Sequence, residues 1–448
     1  MRTPPVRRAS RRLVTAGAIV IAASTACSDR PPTAPSGARV TPGAPSAEVA
    51  RTTGTASDGA VYVESNDPTP GRNSVLAYHR AADGSLTPLA GSPFLTGGTG
   101  VANPTQMLGP DDLDQNIVAD RTRRLLFVVN GGSNTIAVLH INADWSLTPV
   151  PGSPFPSAGS DPSSVGLAGD KVYVVNKAMD PAQGNGVPNY TGFTLAASGA
   201  LTPVPGSTQT SVVGASPSQA YIDPTHTLLF GADFLAPTAP TPAGSLRAFH
   251  IDANGTLTPA PGTPMQIPGE KPTQRMALGL WSHPNTNVLY VGFTLQNKLG
   301  VYTYAPNGAL TFQRAVPNSG KAICWVFVTP DGRSIYTVNT LTNSVSRYAA
   351  ANPLVPSEQQ HLPLRAPGPS YLLMGMPVPT SQAFQEGFAP DGRFLYVVSQ
   401  HTNPDFSAPN GNKLHTLVLG FEGRLSEPTE PLQLPVSTRV RPQGVVVF

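Results

Sequence analysis

An all-β fold is the class this sequence predicts, and three observations predict it. Gly and Pro are abundant, 43 and 50 of 448 residues, while only 12% of residues are charged, about half the ~25% of an ordinary soluble domain. The apolar residues, 40% of the chain, fall in short runs bounded by turn residues and without helical spacing, so disorder does not explain the Gly and Pro excess. From Gly59 onward the chain repeats itself with a period of about 56 residues, the mark of stacked supersecondary units. So little charge also excludes a coiled coil and a nucleic-acid binder.

Residues 1–26 read as an export leader. Arg2, Arg7, Arg8, Arg11 and Arg12 form a positive start, and Leu13 to Ala23 is an apolar stretch shorter than the ~20 residues that span a bilayer. Ser24, Thr25 and Ala26 then run into Cys27. This resembles a bacterial lipoprotein signal whose cysteine is lipidated, with Ser24 where Leu is usual; the bland alternative is an ordinary cleaved signal. The chain is therefore expected to be exported and held at the cell envelope by a lipid on Cys27. Ser28 in place of Asp resembles lipoproteins sent on to the outer membrane. The leader holds five arginines and no acid, so it accounts for the formal net charge of +3, and no phosphate-rich partner is implied. Residues 27–58, rich in Pro, Ser, Thr and Ala, read as a flexible tether reaching about 30 Å. With Cys27 acylated, Cys324 is the one thiol left, which excludes an intrachain disulfide and a CxxC metal or redox site.

Within residues 59–448 two motifs alternate. The first ends a strand, turns and closes on Leu-Thr-Pro: His79 to Pro88, His140 to Pro149, Thr194 to Pro203 and His250 to Pro259, with weaker copies at Leu310 and Leu425 and a degenerate one between. The second is an aromatic inside an apolar run, twice preceded by Pro-Asp-Gly, at Pro330 and Pro390. Its seven aromatics are Tyr62, Phe127, Tyr173, Phe230, Tyr290, Tyr336 and Tyr396. Gly in Pro-Asp-Gly accepts the positive φ of a tight hairpin. Each unit reads as three or four strands, and units of that length are propeller blades, which bury both faces only by stacking in a ring. The prediction is a seven-bladed β-propeller.

The chain ends support closure of that ring. Later units open with an inner strand before the aromatic strand, but the first unit begins directly at Tyr62. The missing strand is at the far end, in Arg441 to Phe448, whose Pro442 matches Pro217. The C-terminal strand is expected to complete the first blade.

The Tyr-Val-Val-Asn strands, alternating with Leu-Thr-Pro and Pro-Gly-Ser-Pro-Phe, resemble the lactonase-type seven-bladed propellers. That family includes 6-phosphogluconolactonase-like and muconate-lactonising proteins and Tyr-Val-Thr-Asn repeat proteins. The resemblance covers Gly59 to Phe448 and lies in the scaffold. It implies a His-Pro-His run, an Arg-His pair in the next blade and a Glu after that blade's aromatic strand. Those places hold Ser216-Pro217-Ser218, Leu278-Gly279 and Thr294. Arg275 lies three residues upstream of the pair, and Asp233 matches an acidic position of the pattern.

Candidate binding residues are those that break the repeat near the central channel. Gln115, Ser218, Cys324 and Gln443 stand where the resembling enzymes carry His or Arg, with Glu386 and Arg441 close by in phase. Together with Asp233 and Arg275 they form the candidate ligand set, Arg441 suiting a carboxylate. Against this stands a water-filled channel whose polar lining satisfies itself. Cys324 has no local His to activate it and reads as a small hydrophobe. His79, His140 and His250 share one repeat phase and point in different radial directions, so they read as strand-face residues, not a metal site. Asp111 to Asn116 collects oxygen ligands without EF-hand spacing and reads as turn capping more than calcium binding. No metal and no cofactor are expected.

The leading expectation is a monomeric envelope-anchored propeller that binds a small polar or carboxylate ligand, or another envelope protein, through its channel face. The export leader argues against a cytosolic sugar-phosphate enzyme. A lactone hydrolase or isomerase with a rearranged site (Arg441, Arg275, Glu386 or Asp233) is the alternative, and a structural or adhesive role the third.

Overall fold

The computed structural model describes residues 57–101, 112–180, 183, 186–234, 244–270, 274–373 and 375–448. The leader, Cys27, the tether to residue 56 and Asp111 lie outside the described residues. Among those described, no helix is long and apolar enough to cross a membrane.

Seven antiparallel four-stranded sheets make the seven blades of a β-propeller. From the axis outward, blade two is Ile117–Asp120, Leu125–Asn130, Thr135–Ile141 and Leu147–Pro149. The inner strands of the next blades are Pro162–Ala168, Tyr221–Ile222, Ala277–Ser282, Ile323–Val328 and Ser381–Phe388. Blade one is assembled from both ends of the chain. Gln443–Val447 is its inner strand and pairs antiparallel with Gly59–Glu64, placing Val447, Val446 and Val445 opposite Val61, Tyr62 and Val63. A two-stranded hairpin, Ser370–Leu373 with Met376–Pro379, is inserted between blades six and seven.

The repeated residues have legible jobs. All seven phased aromatics are fully buried between sheets. Five are tyrosines, and each donates its hydroxyl to a turn carbonyl of the next blade: Tyr62 to Trp145, Tyr173 to Gly255, Tyr290 to Pro353, Tyr336 to Gly423 and Tyr396 to Gly84, at 2.7–3.2 Å. A buried phenol needs such an acceptor, so the tyrosines stitch neighbouring blades. The Tyr396 bond runs from blade seven to blade one and closes the ring. Beside it, Arg80 and Asp391 form a buried ion pair at 2.9 Å.

The Leu-Thr-Pro segments are three-residue outer strands, and in five blades a second two-residue piece also pairs with the third strand. Between the pieces, Ser92, Ser153, Ser207 and Thr263 accept the third-strand N–H of Ala77, Val138, Gly192 and Ala248 at 2.9–3.0 Å. The hydroxyl satisfies the donor that the interrupted strand leaves open, which explains the recurring Pro-Gly-Ser. Blades five and six have continuous outer strands instead, Leu310–Pro317 and Ser357–Pro363; the second of these is the degenerate copy.

Candidate functional site

The inner strands enter the channel through irregular backbone. Register shifts fall at Val63/Glu64, Pro162/Ser164, Leu278/Leu280, Ile323/Trp325 and Ala383/Glu386. Such bulges re-aim side chains; the residues they leave unpaired are Gly444, Ser163, Gly279, Cys324, Phe384 and Gln385.

What the inner strands meet is the Asp112–Asn116 segment, which plugs this end of the channel. Lys177 of blade three donates to the Asp112 carbonyl. Trp325 Nε1 of blade six and Gln385 Nε2 of blade seven both donate to the Leu113 carbonyl at 2.8 Å. The Asp114 N–H donates to the Ser218 carbonyl at 2.9 Å, and Gln219 Nε2, beside it in blade four, donates to Gln115 Oε1 at 3.0 Å. Asn116 Nδ2 reaches Glu64 and the Gln443 carbonyl of blade one. Leu113 is fully buried at the centre. The acidic run that read as a capped turn is thus a channel plug; its local cap is the Gln115 N–H on Asp114 Oδ1, at 2.8 Å.

Beyond the plug lies a cavity of about 180 Å³. It runs from Asp114, Gln115, Gln385 and Glu386 to Arg121, Phe388 and Val447, where the inner strands end. Trp281 and Phe327 complete its wall. Tyr221, Trp281, Phe327 and Phe388 make an aromatic arc across blades four to seven, with successive centroids 5.2, 4.8 and 5.0 Å apart. Burial pushes the Asp114 carboxyl up to about 7, held back by the Gln115 N–H. Glu386 is raised well above the usual carboxylate range, first by burial and then by the charge of Asp114. Both residues are half-buried, but the Glu386 carboxyl oxygens themselves are shielded from solvent, so desolvation dominates. Among the described residues, neither Glu386 oxygen has a hydrogen-bond partner.

The structure places the sequence-predicted residues as follows. Gln115 and Glu386 come together at the cavity. Ser218 donates its hydroxyl to Ala232 O at 3.1 Å while its carbonyl holds the plug. Gln443 is fully buried beside Asn116. Cys324 is buried under the plug, and burial pushes its thiol up to about 12, the neighbouring Thr340 hydroxyl opposing this; it is a packing residue, not a thiolate. Asp233 is engaged by Arg247 at 2.8 Å and by Ser245. Arg275 is turned away onto the Gly269 carbonyl and Gln266. Arg441 is buried, and its charge acts on His401 and Tyr371.

Geometry also explains one departure from the lactonase pattern. Gly279 has φ +47°, and a Cβ there would stand 2.2 Å from the Cys324 carbonyl oxygen. No imidazole fits where the family pattern calls for one.

Sequence reasoning missed Asp114 as a cavity residue, since it read the acidic run as turn chemistry. It also missed Ser399, His415 and Glu427. His415 Nε2 lies 2.8 Å from Ser399 Oγ and its Nδ1 lies 2.7 Å from Glu427 Oε1, the bonding order of a nucleophile, base and acid. All three are buried, so no substrate reaches them and the relay is packing. Among the described residues, no group of three or more His, Cys, Asp or Glu is placed to hold a metal ion.

No family model matches the chain, and no curated protein sequence matches it. Solved structures do. A periplasmic gluconolactonase from Pseudomonas aeruginosa is 22% identical with a TM-score of 0.57, over 69% of this chain and 82% of that one. A candidate 6-phosphogluconolactonase from Bacteroides uniformis is 14% identical with a TM-score of 0.61, over 87% and 99%. Another from Bacteroides fragilis is 15% identical with a TM-score of 0.60, over 88% and 99%. At these identities the likeness is one of fold: the chain has a 6-phosphogluconolactonase-like seven-bladed propeller.

Proposed function

We propose that this chain is a ligand-binding propeller of the cell envelope, carried on a lipid at Cys27, whose ligand site is the channel cavity and which lacks lactonase chemistry. The carrying observation is the plug. Ser218, Gln115, Gln385 and Trp325, which would otherwise face a substrate at that end of the channel, are committed to hydrogen bonds with Asp112–Asn116 or within it and its neighbours. Gly279 leaves no room for the missing imidazole.

Export alone does not decide against a lactonase, because the Pseudomonas neighbour is itself periplasmic. A second reading therefore has one specific observation behind it. Asp114 and Glu386 share a cavity, and each holds its proton more tightly than an ordinary carboxyl, as the acid of an acid–base pair requires. The test is hydrolysis of a panel of sugar and aromatic lactones by the purified chain, with spontaneous ring opening subtracted. The binding reading predicts no turnover above background; turnover abolished by Asp114→Asn with Glu386→Gln overturns it in favour of the enzyme.

A further inference from the structure

The cavity has two walls of different chemistry, and together they select a ligand class. One wall is aromatic: Trp281, Phe327 and Phe388 are only half-buried, and what surface they keep lines the cavity. The other end holds two carboxyl groups, Asp114 and Glu386. Ring faces carry negative electrostatic potential and attract cations. Carboxyl groups withdrawn from water attract them more strongly still once ionised, and a bound cation favours that ionised form. Among the described residues, the Asp114 carboxyl accepts from the Gln115 N–H and both Glu386 oxygens are unpartnered. The basic side chain on the wall, Arg121, donates to the Val447 carbonyl and lies 5.4 Å from the Phe448 ring centre; it forms no ion pair with either carboxyl.

We infer that the channel cavity binds an organic ammonium: a primary or quaternary amine on an apolar body about the size of one aromatic ring. The size follows from the volume, since a cavity of about 150 Å³ holds benzene and this one is about 180 Å³. The ammonium sits towards Glu386 and Asp114, and the apolar body lies against Trp281 and Phe327. A neutral alcohol of the same shape keeps the apolar contact and loses the charge. An anion gains nothing from the ring faces or the carboxyl groups. This inference rests on the reading of the cavity as a ligand site and adds the class of ligand.

The test is calorimetric titration of the purified chain with benzylammonium, benzyl alcohol and benzoate at pH 8 and low salt, above the value near 7 for Asp114 and with the amine still protonated. The expected result is one saturable site for benzylammonium, at least tenfold tighter than for benzyl alcohol, with no heat from benzoate. Glu386→Gln is expected to weaken benzylammonium at least tenfold, and Trp281→Leu severalfold. Equal affinity for the amine and the alcohol, or no saturable amine binding, overturns the inference on the unaltered chain, so it stands or falls even if a variant fails to fold. Undiminished amine binding in folded Glu386→Gln overturns it too. These outcomes are separable from failure of the binding reading, which shows as lactone turnover.

Discussion

Deleting Val445 to Phe448 removes most of the inner strand of blade one. The loss can be worked from the structure. Val445 and Val447 are 7% and 1% exposed, and burial of each contributes about 1.5–3 kcal/mol. The pairing with Gly59–Glu64 goes with them, including the reciprocal Ala60–Phe448 bonds at 3.1 and 2.8 Å, each net about 0.5–1.5 kcal/mol. Phe448 also packs on Trp145 at 5.4 Å and lies under Arg121 and Arg124, contacts that add about 1 kcal/mol. The total is on the order of 8 kcal/mol, within the range of ~5–15 kcal/mol that holds a whole domain together. Urea unfolding followed by tryptophan fluorescence and circular dichroism should show either no folded baseline or a midpoint lowered by most of its value. An unchanged midpoint and slope would refute ring closure by the C-terminal strand. Phe448→Ala, which keeps the ladder, should lose only about 1–2 kcal/mol.

Two further predictions concern the channel. Asp114 and Glu386 both have folded-state affinities for protons raised above their unfolded values. Their stabilising effect is therefore present at low pH and is lost as pH rises towards the folded value near 7 for Asp114. Stability should fall between pH 5 and pH 8 by on the order of 3 kcal/mol, because each tenfold difference in proton affinity between folded and unfolded chains is worth about 1.4 kcal/mol. Glu386→Gln should flatten that slope and raise stability at pH 8; an equally steep profile in the variant would contradict the pairing. Gly279→Ala places a methyl 2.2 Å from the Cys324 carbonyl at φ +47° and should lower stability by about 2 kcal/mol or more, read as a urea midpoint; a neutral effect would show that blades five and six are not so closely set.

How far the sequence was readable depends on whether a residue acts within its own repeat or across the ring. The strands, the turns and the seven aromatics recur, so their spacing exposes them, and the missing first strand could be found by subtraction. What a tyrosine hydroxyl bonds to, such as Gly84 for Tyr396, lies far along the chain and leaves no local trace. The plug is the extreme case. Asp112–Asn116 has no counterpart in other repeats, and its partners Lys177, Ser218, Trp325 and Gln385 come from four blades. Several of them break the repeat, which was the one available signal, but polar breaks in a ring read equally well as ligand contacts or as internal anchors. Asp233 shows the same ambiguity: an acidic position matching a family pattern is occupied by an ion pair with Arg247 inside its own sheet.

The central claim is that Asp112–Asn116 closes one end of the channel, and amide hydrogen exchange tests it directly. The Asp114 N–H is bonded to Ser218 across the channel and Leu113 is fully buried. A peptide spanning 112–118 should therefore exchange as slowly as the neighbouring inner strand Ile117–Asp120. Exchange complete within seconds, at the rate of an open loop, would contradict the plug and return the polar ring at that end to the set of candidate ligand contacts.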